Sequence, residues 1–435
     1  MGLCAPAGGC RADGGRVAVT VAASRPEGLA AYIPVTAAYW AFMLTDGALR
    51  MLVLLHFHTL GFSPVQLAYL FLLYEIAGIV TNLSAGWIAA RFGLTTTLYA
   101  GLALQVGALL ALAGLDPSWG IGASVAYVMA VQGASGVAKD LSKMSAKSAV
   151  KLLAPSGQGG LFKWVAVLTG SKNAVKGAGF LLGAALLALA GFHAAVLGMA
   201  AVLALVLVAV VLRMPGGLPA GRKGAKFREV FSKDANINWL SAARVFLFGA
   251  RDVWFVVGIP VYFYAVLSDG TEAGNRVAFF TIGTFMAVWT ILYGAVQAAA
   301  PKLLGAAHRP EAELIAAARL WAGALALVPA LLAGLVIVAG EPAPWLTAAL
   351  VAGLLLFGAA FAVNSSLHSY LILAFSKGER VTMDVGFYYM ANAAGRLLGT
   401  LLSGMSYQLG GVAACLGVAA LMLGLSAVFA GRLRA

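Results

Sequence analysis

Eight basic residues stand inside stretches that are otherwise apolar: Arg50, Lys163, Lys172, Lys176, Arg244, Arg251, Arg319 and Arg396. The acids in such stretches are fewer: Asp46, Glu75, Asp252 and, at the start of one stretch, Asp384. A charge at the centre of a membrane helix costs about 2.5–3.5 kcal/mol on insertion scales, so each of these residues needs a reason. Lys172 and Lys176 are four apart and share a helix face, where they repel unless an anion lies between them. Arg244 and Arg251, seven apart, also share a face. Asp46 and Arg50 are four apart and are expected to pair with each other, whereas the adjacent Arg251 and Asp252 are expected to point in different directions. Lys163 and Arg319 lie near the ends of their stretches and are expected to snorkel to the headgroups.

Internal pairing does not use up the cations, and the surplus points to an anionic ligand. Arginine offers a fork to phosphate-like groups, and lysine a point charge. The candidate substrate-binding residues are therefore Arg50, Lys172, Lys176, Arg244, Arg251 and Arg396, with Asn364 from a polar run that includes Ser365, Ser366 and His368. Asp46, Glu75 and Asp252 are candidate coupling or ion-pair residues. The competing reading is that the charges merely tie helices together, and the polar run would serve equally as helix-to-helix glue. Lysines 139, 143, 147 and 151 form a stripe at every fourth residue. It suits a face snorkelling against anionic lipid or, alternatively, a vestibule that gathers anions. Ser142, Ser145 and Ser148 between them could donate to phosphate oxygens.

The elements that carry these residues follow from composition. Of 435 residues, 62% are hydrophobic and 10% are charged, against roughly 25% charged in a soluble domain. Lipid is the solvent that such a chain requires. Apolar runs fall at 31–56, 65–90, 94–114, 121–138, 161–188, 193–212, 237–265, 276–299, 313–339, 345–371, 385–408 and 411–431, giving twelve expected spans. Turn residues separate several of them, among them Gly61-Phe62-Ser63-Pro64, Asp116-Pro117, Gly191-Phe192-His193 and Glu341-Pro342. The fold class expected is an all-α membrane protein of about twelve transmembrane helices.

The net charge of +13 reports topology here rather than nucleic-acid binding. Twenty of the 29 basic residues fall in the termini and alternate loops, against only Arg276 in the opposite loops. The excess predicts both termini in the cytoplasm. Residues 1–30 lack an apolar core and read as a disordered cytoplasmic leader. The basic break at 214–236 reads as a central cytoplasmic linker between six-helix bundles at 31–213 and 237–435. Spans 1 and 7, and spans 5 and 11, would then be equivalent, so that cations line one cavity from two sides.

Cys4, Cys10 and Cys415 make neither a metal spacing nor a disulfide framework. His56 and His58 have no acidic or cysteine partner at ligand spacing, so no metal and no cofactor is expected. No Ser/His/Asp set or metal cluster supports an enzyme acting on a lipid phosphate. A drug/proton antiporter would need acids rather than cations in its cavity.

The 6+6 layout resembles the major facilitator superfamily. The stretch Gly86-Trp87-Ile88-Ala89-Ala90-Arg91-Phe92-Gly93 resembles that superfamily's loop 2–3 signature, with Ala90 where the signature has an aspartate. Other segments resemble the ArsJ-type organoarsenical efflux permeases, over about residues 31–430 and most densely before 265. They are Tyr39–Phe42 with Thr45–Leu52 and Leu55–His58, Ala138–Ser148, Leu168–Gly177, and Ser241–Arg244 with Phe248–Val257. The resemblance implies export of 1-arseno-3-phosphoglycerate and, with it, arsenate resistance. It also implies a glyceraldehyde-3-phosphate dehydrogenase as functional partner. A monomer in the lipid bilayer with no nucleic-acid partner is expected. A carrier of another phosphorylated anion, or of phosphate or arsenate, has the same charge requirements.

Overall fold

A computed structural model describes residues 25–153, 160–214, 232, 234–305, 309–376 and 381–434; the side chains of 25–32, 85–86, 89–90, 94, 147–153, 160–170, 301 and 381–383 are not among those described. Most of the expected leader and linker lies outside these residues.

The described chain is built of helices: α1 (Arg25–Thr59), α2 (Pro64–Tyr69), α3 (Leu72–Phe92), α4 (Leu94–Ala113), α5 (Ile121–Leu153), α6 (Gly160–Arg213), α7 (Ala235–Val253), α8 (Ile259–Leu267), α9 (Glu272–Leu303), α10 (Glu311–Ala339), α11 (Pro344–Phe375) and α12 (Val381–Ala430). A π-helical turn, Trp254–Gly258, joins α7 to α8. Ten stretches are long and apolar enough to cross a membrane. Two of them, within α6 and α12, are far too long for one crossing, since a ~30 Å hydrocarbon core needs only about 20 helical residues. Each is broken near its middle. Gly191 adopts φ 74°, ψ 175°, and Gly410–Gly411 depart from helical angles with Gly411 at φ 60°. Only glycine takes a positive φ without steric cost, so these residues end one passage and start the next. Eight single passages and two broken pairs make the twelve expected spans.

Local chemistry accounts for the other boundaries. The Ser63 hydroxyl accepts from the Gln66 backbone N–H while the Gln66 side chain accepts from the Ser63 N–H, a capping box with Pro64 at the first helical position. Gly93, at φ 76°, turns the chain between α3 and α4. Pro260 has no N–H to give to the carbonyl four residues before it, and the helix widens there. Ile259 bonds instead to the Trp254 carbonyl five residues back, and the Ser403 hydroxyl of α12 accepts from the Val257 and Gly258 N–H groups at 3.0 and 3.2 Å.

One boundary differs from expectation. The fourth span was expected to end at 138, but α5 runs on to Leu153. Hydropathy falls at Lys139, yet nothing before Pro155 breaks a helix.

Large side chains such as Leu212, Val338 and Leu409 are 79%, 85% and 86% exposed, as a lipid-facing surface requires. Inside, one apolar core gathers α1, α2, α4, α5 and α6 and takes in Val256, Val257 and Val261. A second gathers α7 through α12 and takes in Met51, Leu55, Phe180 and Ala184. The two cores thus exchange side chains at the His58 end of α1, where the His58 ring lies 4.7 Å edge-on from Tyr264.

Glycines set the approach of the helices. A side chain on Gly179 or Gly183 of α6 would strike the carbonyls of Leu44 or Ala48 on α1. A side chain on Gly395 or Gly399 of α12 would strike those of Val245 or Gly249 on α7. The same four-residue spacing therefore joins α6 to α1 and α12 to α7. This repeat relates Leu44 to Val245 and Ala48 to Gly249, and carried two residues further it relates Arg50 to Arg251.

Candidate functional site

The intramembrane charges meet in one buried network. Glu75 of α3, fully buried, takes Arg50 of α1 at 3.2 Å and Arg396 of α12 at 2.6 Å on the same carboxylate oxygen. Arg396 also lies 3.5 Å from Asp252 of α7, whose other oxygen is 2.5 Å from Arg251. The result is a chain of alternating sign, Arg50–Glu75–Arg396–Asp252–Arg251, that links helices from both ends of the sequence. Asp46 of α1 lies beside it. It takes the Lys176 ammonium of α6 at 2.6 Å and a hydrogen bond from the Tyr74 hydroxyl at 2.5 Å.

Two pairing expectations are corrected. Asp46 pairs with Lys176 and Arg50 with Glu75, rather than Asp46 with Arg50, because neighbouring helices bring closer partners than the same helix does. Arg251 does not point away from Asp252. Its flexible stem carries the guanidinium back, and Nε and Nη2 both reach Oδ1.

The lysine stripe is also corrected in part. Lys139 and Lys143 of α5 face inward rather than toward lipid. The Lys139 ammonium sits 3.9 Å from the centre of the Tyr74 ring. Lys143 pairs with Asp140 at 3.1 Å and donates to Asn82 at 2.7 Å, and Thr81 donates to the same Asp140 at 2.5 Å. Lys147 and Lys151 lie outside the described side chains, as does Lys163. Ser142 and Ser145 face α4 rather than a cavity, and the Ser145 hydroxyl is 2.6 Å from that of Thr97.

Arg244 stands two turns before Arg251 and is held by neutral groups. It donates to Asn392 and to the Ser365 carbonyl and hydroxyl, each at 3.1 Å, with its guanidinium over Phe248 and Tyr388. Lys172 is half-buried one turn from Lys176. Asn364 is not brought to the network. Fully buried, and with its amide turned to donate to Ala318 and accept from Ala322 at 3.2 Å each, it ties α11 to α10. Arg319 is exposed, as expected of a snorkelling residue. His56 stacks on Phe192 at 4.0 Å, and no group of three metal-ligating side chains occurs among the described residues.

Tyr74, Thr81, Asn82 and Asp140 were not singled out by the sequence, whereas Lys139 and Lys143 were noted only as part of the stripe. The available signal was the Asp140/Lys143 spacing of three on that stripe.

The network is cation-rich. Arg50, Lys139, Lys143, Lys176, Arg251 and Arg396 surround Asp46, Glu75, Asp140 and Asp252, so six cations face four carboxylates. The side chains of Arg50, Arg251, Lys176 and Arg396 keep 13–18% of their surface accessible, whereas Asp46, Glu75 and Asp252 keep at most 2%. The accessible face of the network is thus its positive face.

Lys176→Met is expected to destabilise the protein by about 3–5 kcal/mol, because Asp46 is left buried and unpaired. In the double variant with Asp46→Asn most of the loss should return. A double-mutant cycle on detergent melting checks this, and additive losses would show that the pair is not coupled.

No protein-family model matches the chain, and no curated protein matches it. Solved structures do. A mutant of the nucleoside transporter NupG aligns with a TM-score of 0.66 at 16% identity, over 93% of this chain and 98% of that one. A POT family transporter in complex with 5-aminolevulinic acid aligns with a TM-score of 0.69 at 14% identity, over 93% and 96%. A bacterial homologue of the iron transporter ferroportin, in an outward-facing state, aligns with a TM-score of 0.60 at 17% identity, over 92% and 98%. Identities this low bear on fold alone, and on that evidence the chain is an all-helical, multi-pass membrane protein with the twelve-helix, six-plus-six fold of the major facilitator transporters.

Proposed function

We propose that this protein is a secondary transporter of a small, multiply charged anion, working by alternating access, and that it exports 1-arseno-3-phosphoglycerate. The observation that carries the anion reading is the excess of cations over carboxylates in the buried network, with the accessible surface on the cations. The fold supports transport, since in transporters of this architecture the substrate site lies at the interface of two repeats that rock against each other. The choice of ester rests on the sequence resemblance to the ArsJ-type permeases.

Met51, Leu55, Trp254 and Phe255 pack together in one apolar core. Each elementary charge crossing 100 mV is worth about 2.3 kcal/mol. A trianion leaving a negative cytoplasm gains roughly three times that, so export needs no coupled ion. Arg50, Lys172, Lys176, Arg251 and Arg396 grip the anion. Asp46, Glu75 and Asp252 hold these cations in place until it arrives.

The test uses arsenic-sensitive cells that carry this gene, a partner glyceraldehyde-3-phosphate dehydrogenase, or both. Resistance and lowered cell arsenic are expected only with both. Resistance from this gene alone in a host lacking its own dehydrogenase would mean that arsenate itself is moved. No change in any combination would remove the arsenical and leave other phosphorylated anions to be screened. Unchanged export by a correctly inserted Arg251→Ala variant would refute the site.

A further inference from the structure

We infer that Arg50 and Arg251 are the two specificity-determining forks of a site for a two-headed anion, one for each charged end. This rests on the reading of the interior as an anion site.

The glycine-to-carbonyl contacts supply the first argument. They place α6 on α1 and α12 on α7 with the same register, and in that register Arg50 and Arg251 are equivalent positions on equivalent helices. The second argument is the form of each site. The Arg50 guanidinium lies 5.0 and 5.6 Å from the ring centres of Phe71 and Tyr74, and that of Arg251 lies 5.0, 5.6 and 5.9 Å from those of Phe248, Phe361 and Phe255. Rings beside a guanidinium fix its plane while leaving its N–H edge for an oxyanion. Each edge now meets a single acid, Glu75 or Asp252. Arg50 Nη2 is buried and makes no hydrogen bond among the described residues, so this fork is only half used.

The third argument is what lies between the forks. Glu75, Arg396 and Asp252 separate them, with Arg396 touching both acids. A lone tetrahedral anion would have to displace all three groups to reach both arginines. A molecule with an oxyanion at each end reaches both while Arg396 stays at the centre, and its heads take over the places that the two carboxylates hold at the forks. Selection is then for the separation of two charges rather than for total charge.

The test uses the purified full chain and two stable probes, propane-1,3-bisphosphonate and propylphosphonate. Wild type is expected to bind the bisphosphonate at least tenfold more tightly. Arg50→Lys and Arg251→Lys keep the charge but lose the fork. Each should erase that preference while changing propylphosphonate affinity by less than about twofold. Arg276→Lys, in the exposed pair with Glu272, should retain it. Equal binding of the two probes by wild type, or equal losses for both probes in the lysine variants, would overturn the two-fork assignment and leave the anion reading standing. Binding of neither probe would overturn both. If one lysine variant does not fold, the other and the wild-type comparison still decide.

Discussion

Glu75→Ala is expected to lower the stability of this protein by about 3–5 kcal/mol and to abolish export. Glu75 is fully buried, and one of its oxygens holds Arg50 and Arg396 together. Removing a single member of a buried ionic cluster leaves the others charged, desolvated and unpaired, and that penalty exceeds what the intact pair contributes. A domain has roughly 5–15 kcal/mol in total, so the loss should appear as a large fall in melting temperature in detergent. Glu75→Gln keeps the shape and one acceptor but removes the charge. It should melt closer to wild type and still fail to export, because no negative charge then holds Arg396 against Arg50 before the anion loads. Adding Arg50→Met to Glu75→Ala should restore part of the stability and none of the export. A Glu75→Ala protein that melts with wild type would show that the carboxylate does not bind the two halves together.

The second large effect concerns packing rather than charge. Gly183→Val and Gly399→Val should each cost at least about 1–3 kcal/mol, the usual range for overpacking. A side chain at these positions meets the backbone carbonyls of Ala48 and Gly249, which cannot rotate away as a side chain can. The helices must separate, and Lys176 and Arg396 on the same helices then move off Asp46 and Glu75. Gly198→Val and Gly417→Val are the matched controls, because nothing lies within 4 Å of a side chain added there. They should melt within about 0.5 kcal/mol of wild type, as surface substitutions do. Equal melting of all four variants would mean that the close approach of α6 to α1 and α12 to α7 is not what fixes the network.

Much of the architecture was legible in the residues. The spans could be read because lipid demands an unbroken apolar run of known length, and the break at Gly191 because a turn needs residues with conformational freedom. Arg50, Lys176, Arg251 and Arg396 stood out because each violates the apolar rule. Asn364 looked like a lining residue for the same reason, but its amide is spent on α10. The end of α5 was misplaced because hydropathy measures lipid contact, and a helix does not stop where lipid contact stops. Lys139 and Lys143 were read first as a lipid-facing stripe and alternatively as a vestibule, whereas they lie inside, beside Tyr74 and Asp140.

What the sequence determined by itself is the solvent, the number of crossings and the identity of the costly charges. These depend on transfer free energies that each residue carries wherever it sits. What only the tertiary structure decided is which charge meets which: Asp46 with Lys176, Glu75 with both Arg50 and Arg396, Arg251 folded back on Asp252. Electrostatic pairing depends on distances of a few ångströms between helices whose partners lie 25, 130 and 321 residues apart in sequence, and those distances are set by how closely glycines let the backbones approach.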